Sequence, residues 1–270
     1  MIPKKLAAGA ALCAAALALP AGADAQVSDK WQYGLSIYAY IPEISGTSRF
    51  PASGASPSVS VSLDEVLDLK FAFMGSFEAK KGRWGGFTDF MYLDVGDSRS
   101  EARDFEIGSG PIPGTASADV DYSLKGMVWT IAGEYNLVST PASTVDVFVG
   151  ARLVDLEQDV RWNLTGELGG YPLPGRSGDS NVSRSNWDGI IGVKGRVRFG
   201  NENRWFVPYY LDVGTGESDL TWQAMAGLGY AWGWGDLVAA WRYLDYDMGE
   251  GRPFEDISFN GPSISVVFRW

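Results

Sequence analysis

The most informative part of this sequence is the stretch Ser263-Ile264-Ser265-Val266-Val267-Phe268-Arg269-Trp270. Its apolar side chains stand at every second position, at Ile264, Val266, Phe268 and Trp270. Because a β-strand sends alternate side chains to opposite faces, the stretch predicts a strand with one apolar and one wetter face. A frayed terminus of a soluble domain gains little from ending on a Trp, whereas a lipid-facing strand gains an anchor at the membrane–water interface. The pattern therefore favours a strand of a membrane barrel.

The same stretch resembles the C-terminal signature of bacterial outer-membrane β-barrels, which the barrel-assembly machinery reads. The resemblance implies that Ile264, Val266, Phe268 and Trp270 form an assembly signal and that this machinery is a partner of the chain. It covers one strand, so the fold has to be tested on the other segments.

The N-terminal segment predicts export. Lys4 and Lys5 precede the uncharged run Leu6–Leu19, and Ala23-Asp24-Ala25 supplies a small-x-small cleavage pattern. This is typical of a secretory signal peptide over residues 1–25, because the apolar run is too short to span a bilayer. Residues 26–270 then form one domain. Cys13 lies within the signal peptide, so the mature chain has no cysteine and its fold does not depend on disulfides.

Composition narrows the class further. The mature chain would have 245 residues (270 minus 25), with 20 Lys plus Arg against 32 Asp plus Glu. So acidic a chain repels phosphate, which argues against nucleic-acid binding. Aromatic residues make up 13% of the chain and there are 34 glycines, while no apolar run after residue 26 reaches the length of a membrane helix. These features suit an outer-membrane β-barrel, with a secreted β-sandwich as the alternative.

Alternating segments along the chain predict ten strands. They are 31–41, 71–80, 84–95, 125–137, 144–155, 187–199, 204–213, 221–232, 237–248 and 262–270. The joins between them alternate between short turns and longer loops, the longest being 42–70, 96–120 and 160–186, which is typical of outer-membrane barrels. Eight or twelve strands stay open, because Ser58–Leu63 or the mixed segment 237–248 changes the count. The predicted fold class is an all-β, transmembrane, antiparallel up-and-down β-barrel.

The two faces of these strands predict two functional sets of side chains. The outer set is a belt of membrane-interface aromatics, namely Trp31, Trp84, Trp205, Trp222, Trp232 and Trp270. The inner set is charged and comprises Glu78, Asp89, Glu134, Asp146, Arg152, Lys194, Arg196, Arg198, Asp212 and Arg269. Its four strand-borne cations Arg152, Lys194, Arg196 and Arg198 could form an anion-selective stripe. Paired with the carboxylates, they would instead fill the lumen, which the small width of a ten-strand barrel favours.

Catalytic chemistry is not indicated. The chain contains no His, the usual proton carrier near neutral pH, and outer-membrane phospholipases, lipid A deacylases and omptin-type proteases are similar in using one. Without His and Cys, no zinc or haem site is expected. The acidic residues around the last loop, such as Asp245, Asp247 and Asp256, favour a solvated rim over a calcium site. We expect no cofactor and no metal.

The sequence thus predicts an exported protein of the cell outer membrane, in contact with lipid and lipopolysaccharide. The leading hypothesis is a structural or surface-interaction barrel whose lumen is largely filled by paired charges. The alternative is a narrow, porin-like diffusion channel for small, anionic solutes, and a lesser alternative is an outer-membrane enzyme that lacks His.

Overall fold

The computed structural model describes residues 28–48, 58–61, 69–106, 113–168, 171–249 and 254–270, so the predicted signal peptide lies outside the described residues. The described chain is almost entirely β-structure. Its strands are β1 (Gln32–Tyr40), β2 (Glu43–Ser48), β3 (Ser58–Val61), β4 (Leu69–Lys81), β5 (Trp84–Glu106), β6 (Pro113–Ser139), β7 (Ser143–Leu168), β8 (Tyr171–Phe199), β9 (Trp205–Gly216), β10 (Leu220–Ala231), β11 (Gly235–Asp247) and β12 (Phe254–Arg269). Within these residues no helix is long and apolar enough to cross a membrane.

Ten of the strands close into an antiparallel barrel, which confirms the predicted fold class and strand count. β4 to β12 follow one another around the wall, and β12 returns to pair with β1 from Gly34↔Arg269 to Tyr40↔Ser263. Closure pairs the wall on every side, so the ring has no open edge. The segment 237–248 belongs to a true wall strand, β11, which pairs on both sides.

The two short strands lie outside the ring and explain the ambiguity at Ser58–Leu63. β2 pairs with the first half of β12, and β3 pairs with β2 over four residue pairs. Pro42 separates β1 from β2, and since Pro has no N–H to donate to a ladder, the strand breaks there. β12 is thereby covered first by β2 and then by β1.

The prediction of long loops at 96–120 and 160–186 is wrong, because strands occupy most of both segments. β5 to β8 are 23, 27, 26 and 29 residues long and leave only residues 107–112, 140–142 and 169–170 between them. A barrel strand needs only about 9–11 residues to cross a bilayer. The excess pairs as a four-stranded sheet, since β5 leaves β4 after Val95 and β8 meets β9 only from Asp188 on. A wall outside lipid has no apolar face to bury, so these stretches lack the alternation that marks a membrane strand.

The barrel has two unlike ends. At one end, here named the turn end, the strands are joined by the short predicted turns, and both ends of the described chain lie beside them. One such turn is Gly82–Arg83, where Gly82 has a φ of 62°, a conformation that glycine adopts without strain. The opposite end, where β5 to β8 project, is named the loop end.

The interior is divided in the same way. The loop half is filled by a buried apolar cluster, whereas the sequence pattern predicts charges along the inner face. The cluster consists of Tyr40, Ile44, Met74, Met91, Leu93, Val95, Leu124, Val128, Val154, Leu156, Leu244, Tyr246, Met248, Ile257 and Phe259. The turn half carries the charged side chains. The lumen is thus apolar toward the loops and ionic toward the turns.

The packing of Phe206 against β10 gives a testable expectation. A Cβ added at Gly229 would lie 2.3 Å from one carbon of the buried Phe206 ring. We expect Gly229→Ala to lower the free energy of unfolding by about 1–3 kcal/mol, the usual cost of overpacking a core. Gly133→Ala is the control, because Gly133 is exposed and a Cβ there meets nothing within 4 Å. Urea unfolding in micelles, followed by Trp fluorescence, would measure both, and equal stabilities would refute the close packing.

Candidate functional site in the barrel lumen

All ten predicted inner-face charges lie on the lumen side of the wall. Six of them, Glu78, Asp89, Asp146, Lys194, Arg196 and Arg269, line one cavity. Glu134, Arg152 and Asp212 are buried next to it, and Arg198 follows Arg196 on the same face of β8. The structure does not gather them into one ring. It distributes them over four separate networks, and it adds the charged residues Lys80, Asp236 and Arg242, which the predicted set lacks.

The first network is a cluster of three carboxylates and two lysines. Lys194 Nζ lies 2.9 Å from Glu78 Oε1 and 2.7 Å from Glu134 Oε2. Lys80 Nζ lies 2.7 Å from Asp146 Oδ2 and 2.8 Å from Glu78 Oε1. Three negative and two positive groups leave a formal charge of −1. Lys80 could have been found from the sequence, because it alternates in phase with Glu78 on β4.

This cluster also explains why an acidic group here does not imply a metal. Glu78, Glu134 and Asp146 each offer a carboxylate oxygen within 4.8 Å of the others, the spacing that a cation could use. The ammonium groups of Lys80 and Lys194 already lie among these oxygens. Two ammonium groups at ion-pair distance supply the positive charge that a bound metal would otherwise bring.

The second network is the ion pair of Arg152 and Asp212, deep in the lumen. Arg152 is 0% exposed and Asp212 is 2% exposed. The guanidinium donates two hydrogen bonds to the carboxylate, one of them 3.1 Å long from Nη1 to Oδ1. It also donates from Nε to Thr130 Oγ1, 3.2 Å away, and lies 3.4 Å from the Tyr210 hydroxyl. Because the guanidinium and the carboxylate of this buried pair are hydrogen-bonded to each other and to their neighbours, the pair fills the lumen and offers no free charge to a solute.

The third network centres on Arg242, which lies in the mixed segment 237–248. Arg242 Nη2 lies 3.2 Å from Asp89 Oδ1 and 2.9 Å from Gln223 Oε1, while Nη1 donates to the Tyr38 hydroxyl at 3.1 Å. Tyr38 in turn donates to Asp89 Oδ2 at 3.0 Å. Arg242 lies on the same face of β11 as the buried Val238 and Leu244. Its inward direction can be predicted only when it is known that this face points into the lumen.

The fourth network lies nearest the turn end and joins Asp236 to two arginines. Arg269 Nε lies 2.8 Å and Arg196 Nη1 lies 3.2 Å from the same Asp236 Oδ2. Arg198 stands beside them and donates to the carbonyl of Pro141 at 3.4 Å. Asp236 escaped prediction because it falls in the turn region before Leu237.

The networks surround a cavity of about 860 Å³ in the turn half of the lumen. Trp31, Gly82 and Trp270 at its rim place its mouth at the turn end. We name it the turn-end vestibule. On the loop side, the Arg242 network and the apolar cluster follow it. The predicted stripe of Arg152, Lys194, Arg196 and Arg198 is therefore divided. Lys194 and Arg196 line the vestibule, Arg198 donates to the Pro141 carbonyl, and Arg152 is buried with Asp212.

The outer face carries the predicted tryptophans near two levels. Trp31, Trp84, Trp205, Trp232 and Trp270 stand at the turn end, and all are exposed, Trp84 at 70%. Trp222 lies near the other end of β10 and stacks on Tyr243 with ring centroids 4.8 Å apart. Ten residues separate Trp222 from Trp232, which at about 3.3 Å per residue and a tilt of about 45° is about 23 Å along the barrel axis.

The apolar residues of the closing strand point outward between these levels. Ile264 is 54% exposed and Phe268 39%, and Val266 lies on the same face. An apolar outer surface, an ionic interior and a closed antiparallel up-and-down wall are the features of the outer-membrane class of β-barrel.

Comparison with known proteins gives structural neighbours of the same class. The chain is similar to the translocator domain of the autotransporter NalP from Neisseria meningitidis, with 14% identity over 98% of this chain and 96% of that one and a TM-score of 0.37. It is also similar to Ail, the attachment invasion locus protein of Yersinia pestis, in complex with the heparin analogue sucrose octasulfate, with 9% identity over 89% and 99% of the two chains and a TM-score of 0.33. A Pseudomonas aeruginosa FadL homologue gives 8% identity over 89% of each chain and a TM-score of 0.25.

Similarities this low carry no argument about what the present chain binds or does. No protein-family model and no curated protein matches the sequence.

Proposed function

We propose that the protein is an integral outer-membrane β-barrel with a closed lumen and a structural or surface-interaction role. The observation that carries the proposal is the filling of the loop half of the lumen by the apolar cluster. Leu244 and Tyr246 on β11, Met248 just after it and Phe259 on β12 are at most 2% exposed, so among the described residues the loop half is packed with apolar side chains rather than open to water. Beneath them lies the Arg152–Asp212 pair, which is equally inaccessible.

The projecting sheet of β5 to β8 supports the surface role. Its strands are more than twice as long as about 9–11 residues, the length that crosses a bilayer. Building a paired wall beyond the membrane is of no use to a simple lipid anchor. Because turns of such barrels face the periplasm, the sheet would stand on the cell surface, where lipopolysaccharide surrounds it.

The outer face supports the location. Two levels of aromatic residues about 23 Å apart match the apolar band of about 25 Å between the aromatic girdles of outer-membrane barrels. In this proposal Ile264, Val266, Phe268 and Trp270 face lipid and present the closing strand to the barrel-assembly machinery. The proposal assigns no reaction to the chain, which contains no His.

Conductance in a planar bilayer tests the closed lumen. We expect the refolded native chain to insert without conductance steps. The triple variant Leu244→Ala, Tyr246→Ala, Phe259→Ala removes volume from the apolar cluster and is expected to produce steps. Trp241→Ala is the matched control, because Trp241 lies on the same strand but on the outer face, where it is 55% exposed.

The alternative, a narrow anion channel, predicts the opposite result. Stable anion-selective steps from the native chain, lost in a variant with Arg196→Gln and Arg198→Gln, would overturn the closed lumen. Heat-modifiable migration of each variant in gel electrophoresis would show that the barrel has folded before its conductance is compared.

A further inference from the structure

The turn-end vestibule contains more positive charge than the wall around it neutralises. Arg196 and Arg269 share a single oxygen of Asp236, and Arg198, which follows Arg196 on the same face of β8, donates to the Pro141 carbonyl at 3.4 Å. Three guanidinium groups against one carboxylate give a local formal charge of +2. Arg198 and Arg269 both repel Arg196. This excess occurs within a chain whose formal net charge is −11.

The guanidinium of Arg196 is held in position but not saturated. Among the described residues it has one hydrogen-bond acceptor, Asp236, and its carbon lies 5.5 Å from the centroid of the buried Phe206 ring. An Arg offers five N–H donors in a rigid fork that matches phosphate or carboxylate oxygens. Its side chain is 19% exposed and lines the vestibule, so a solute inside the cavity can reach the remaining N–H donors.

Charge changes sign with depth in the vestibule. The cluster of Glu78, Glu134, Asp146, Lys80 and Lys194 carries a formal charge of −1 and adjoins the +2 group along β8, where Lys194 precedes Arg196 by two residues. An anion that enters from the turn end would be attracted at the level of Arg196 and repelled beyond it. The cavity of about 860 Å³ has room for a small organic solute.

We infer that the turn-end vestibule is a binding site for a small, soluble solute that carries a phosphate-like dianion, held by Arg196 and Arg269, which both line the cavity. Arg198, two residues after Arg196 on β8, adds to the positive field. The inference goes beyond the surface role proposed above and does not depend on it, because the vestibule opens at the turn end whether or not the loop half conducts.

Titration calorimetry of the full refolded chain in uncharged micelles tests the site, with pyrophosphate as the probe at low ionic strength. We expect one binding event per chain. Arg196→Gln and Arg269→Gln should each weaken it about tenfold, the effect of losing one charge-assisted hydrogen bond. The side chain of Arg269 is 41% exposed against 19% for Arg196, so its variant keeps the test usable if Arg196→Gln does not fold.

Asp236→Asn gives the sharpest discrimination. Removing the shared carboxylate raises the local charge to +3, so pyrophosphate should bind more tightly, a direction that mere structural damage does not produce. Lys125→Gln is the control, because Lys125 lies outside the vestibule and pairs with Glu157 at 3.9 Å.

The inference is overturned if the native chain shows no saturable binding, if Lys125→Gln weakens binding as much as Arg196→Gln, or if a folded Asp236→Asn variant binds less tightly. Binding of the phosphate group only when it is carried on a short-chain phospholipid would equally overturn a soluble ligand. Calorimetry measures binding and not conductance, so failure of the binding-site inference can be distinguished from failure of the closed-lumen proposal.

Discussion

Arg152→Met is expected to destabilise the folded barrel by about 3–5 kcal/mol, the usual cost of removing one partner of a buried ion pair. The reason is the carboxylate left behind. Asp212 is 2% exposed, and its two oxygens are held by the guanidinium of Arg152. Without that partner, the charge stays in a site shielded from water and the hydroxyls of Thr130 and Tyr210 lose a donor or neighbour as well. Denaturant unfolding in micelles measures the change.

Two controls separate the pair from simple loss of a cation. The double variant Arg152→Met, Asp212→Leu should recover most of the lost stability, because apolar residues often replace a buried ion pair without a net cost. Lys125→Met breaks the exposed pair with Glu157, whose side chains are about 40% accessible, and should cost less than about 1 kcal/mol. If Arg152→Met behaves like Lys125→Met, the lumen around Asp212 is hydrated and the proposed plug is wrong.

Val266→Pro is expected to abolish the folded, heat-modifiable form of the barrel. Val266 pairs with Ile37 in the seam where β12 returns to β1. Tyr33 and Trp270 exchange both backbone hydrogen bonds, at 2.9 and 3.2 Å, and such pairs alternate along an antiparallel ladder. Val266 therefore donates its N–H to β1. Proline removes that donor, and an unsatisfied backbone group within a bilayer costs several kcal/mol.

Val266→Thr is the matched control, since it keeps the β-branched shape and the N–H. The natural Pro262 shows where the seam tolerates proline: Ile41 N–H donates to the Pro262 carbonyl at 3.0 Å, next to the break between β1 and β2. Refolding yield, read from gel migration before and after heating, distinguishes the variants. Normal folding of Val266→Pro would mean that the barrel closes without this seam.

The strand count and the two faces of the wall could be predicted from the sequence because they depend on local alternation. Trp222 to Trp232 on β10 and Ile264 to Trp270 on β12 show their outer faces directly, since lipid demands an apolar side chain at every second position. The same rule failed at 96–120 and 160–186. There the wall of β5 to β8 extends as strand without a lipid-facing side, and without that demand the sequence carries the composition of a loop.

The charged inner face was also legible by alternation, and all ten of its predicted members lie on the lumen side. The partners of these charges could not be predicted in the same way. Arg242, Asp236 and Lys80 enter the networks through strands that are distant in sequence, as when Arg242 meets Asp89 across 153 positions. Nothing in either strand alone states which side chain lies opposite across a lumen, because that depends on the number of strands and on how far each is staggered around the ring.

An antiparallel barrel of ten strands, its apolar outer surface and a charged inner face can all be predicted from the sequence, because each depends on a period-two pattern within single strands. How the lumen is filled depends instead on the folded barrel. Closure of β12 on β1 brings the apolar inner residues of the loop half together and gathers three arginines around Asp236 at the turn end. Side chains from different strands meet across the lumen. Their contacts determine which charges are paired, which are buried and which are in excess, and no single strand encodes these contacts.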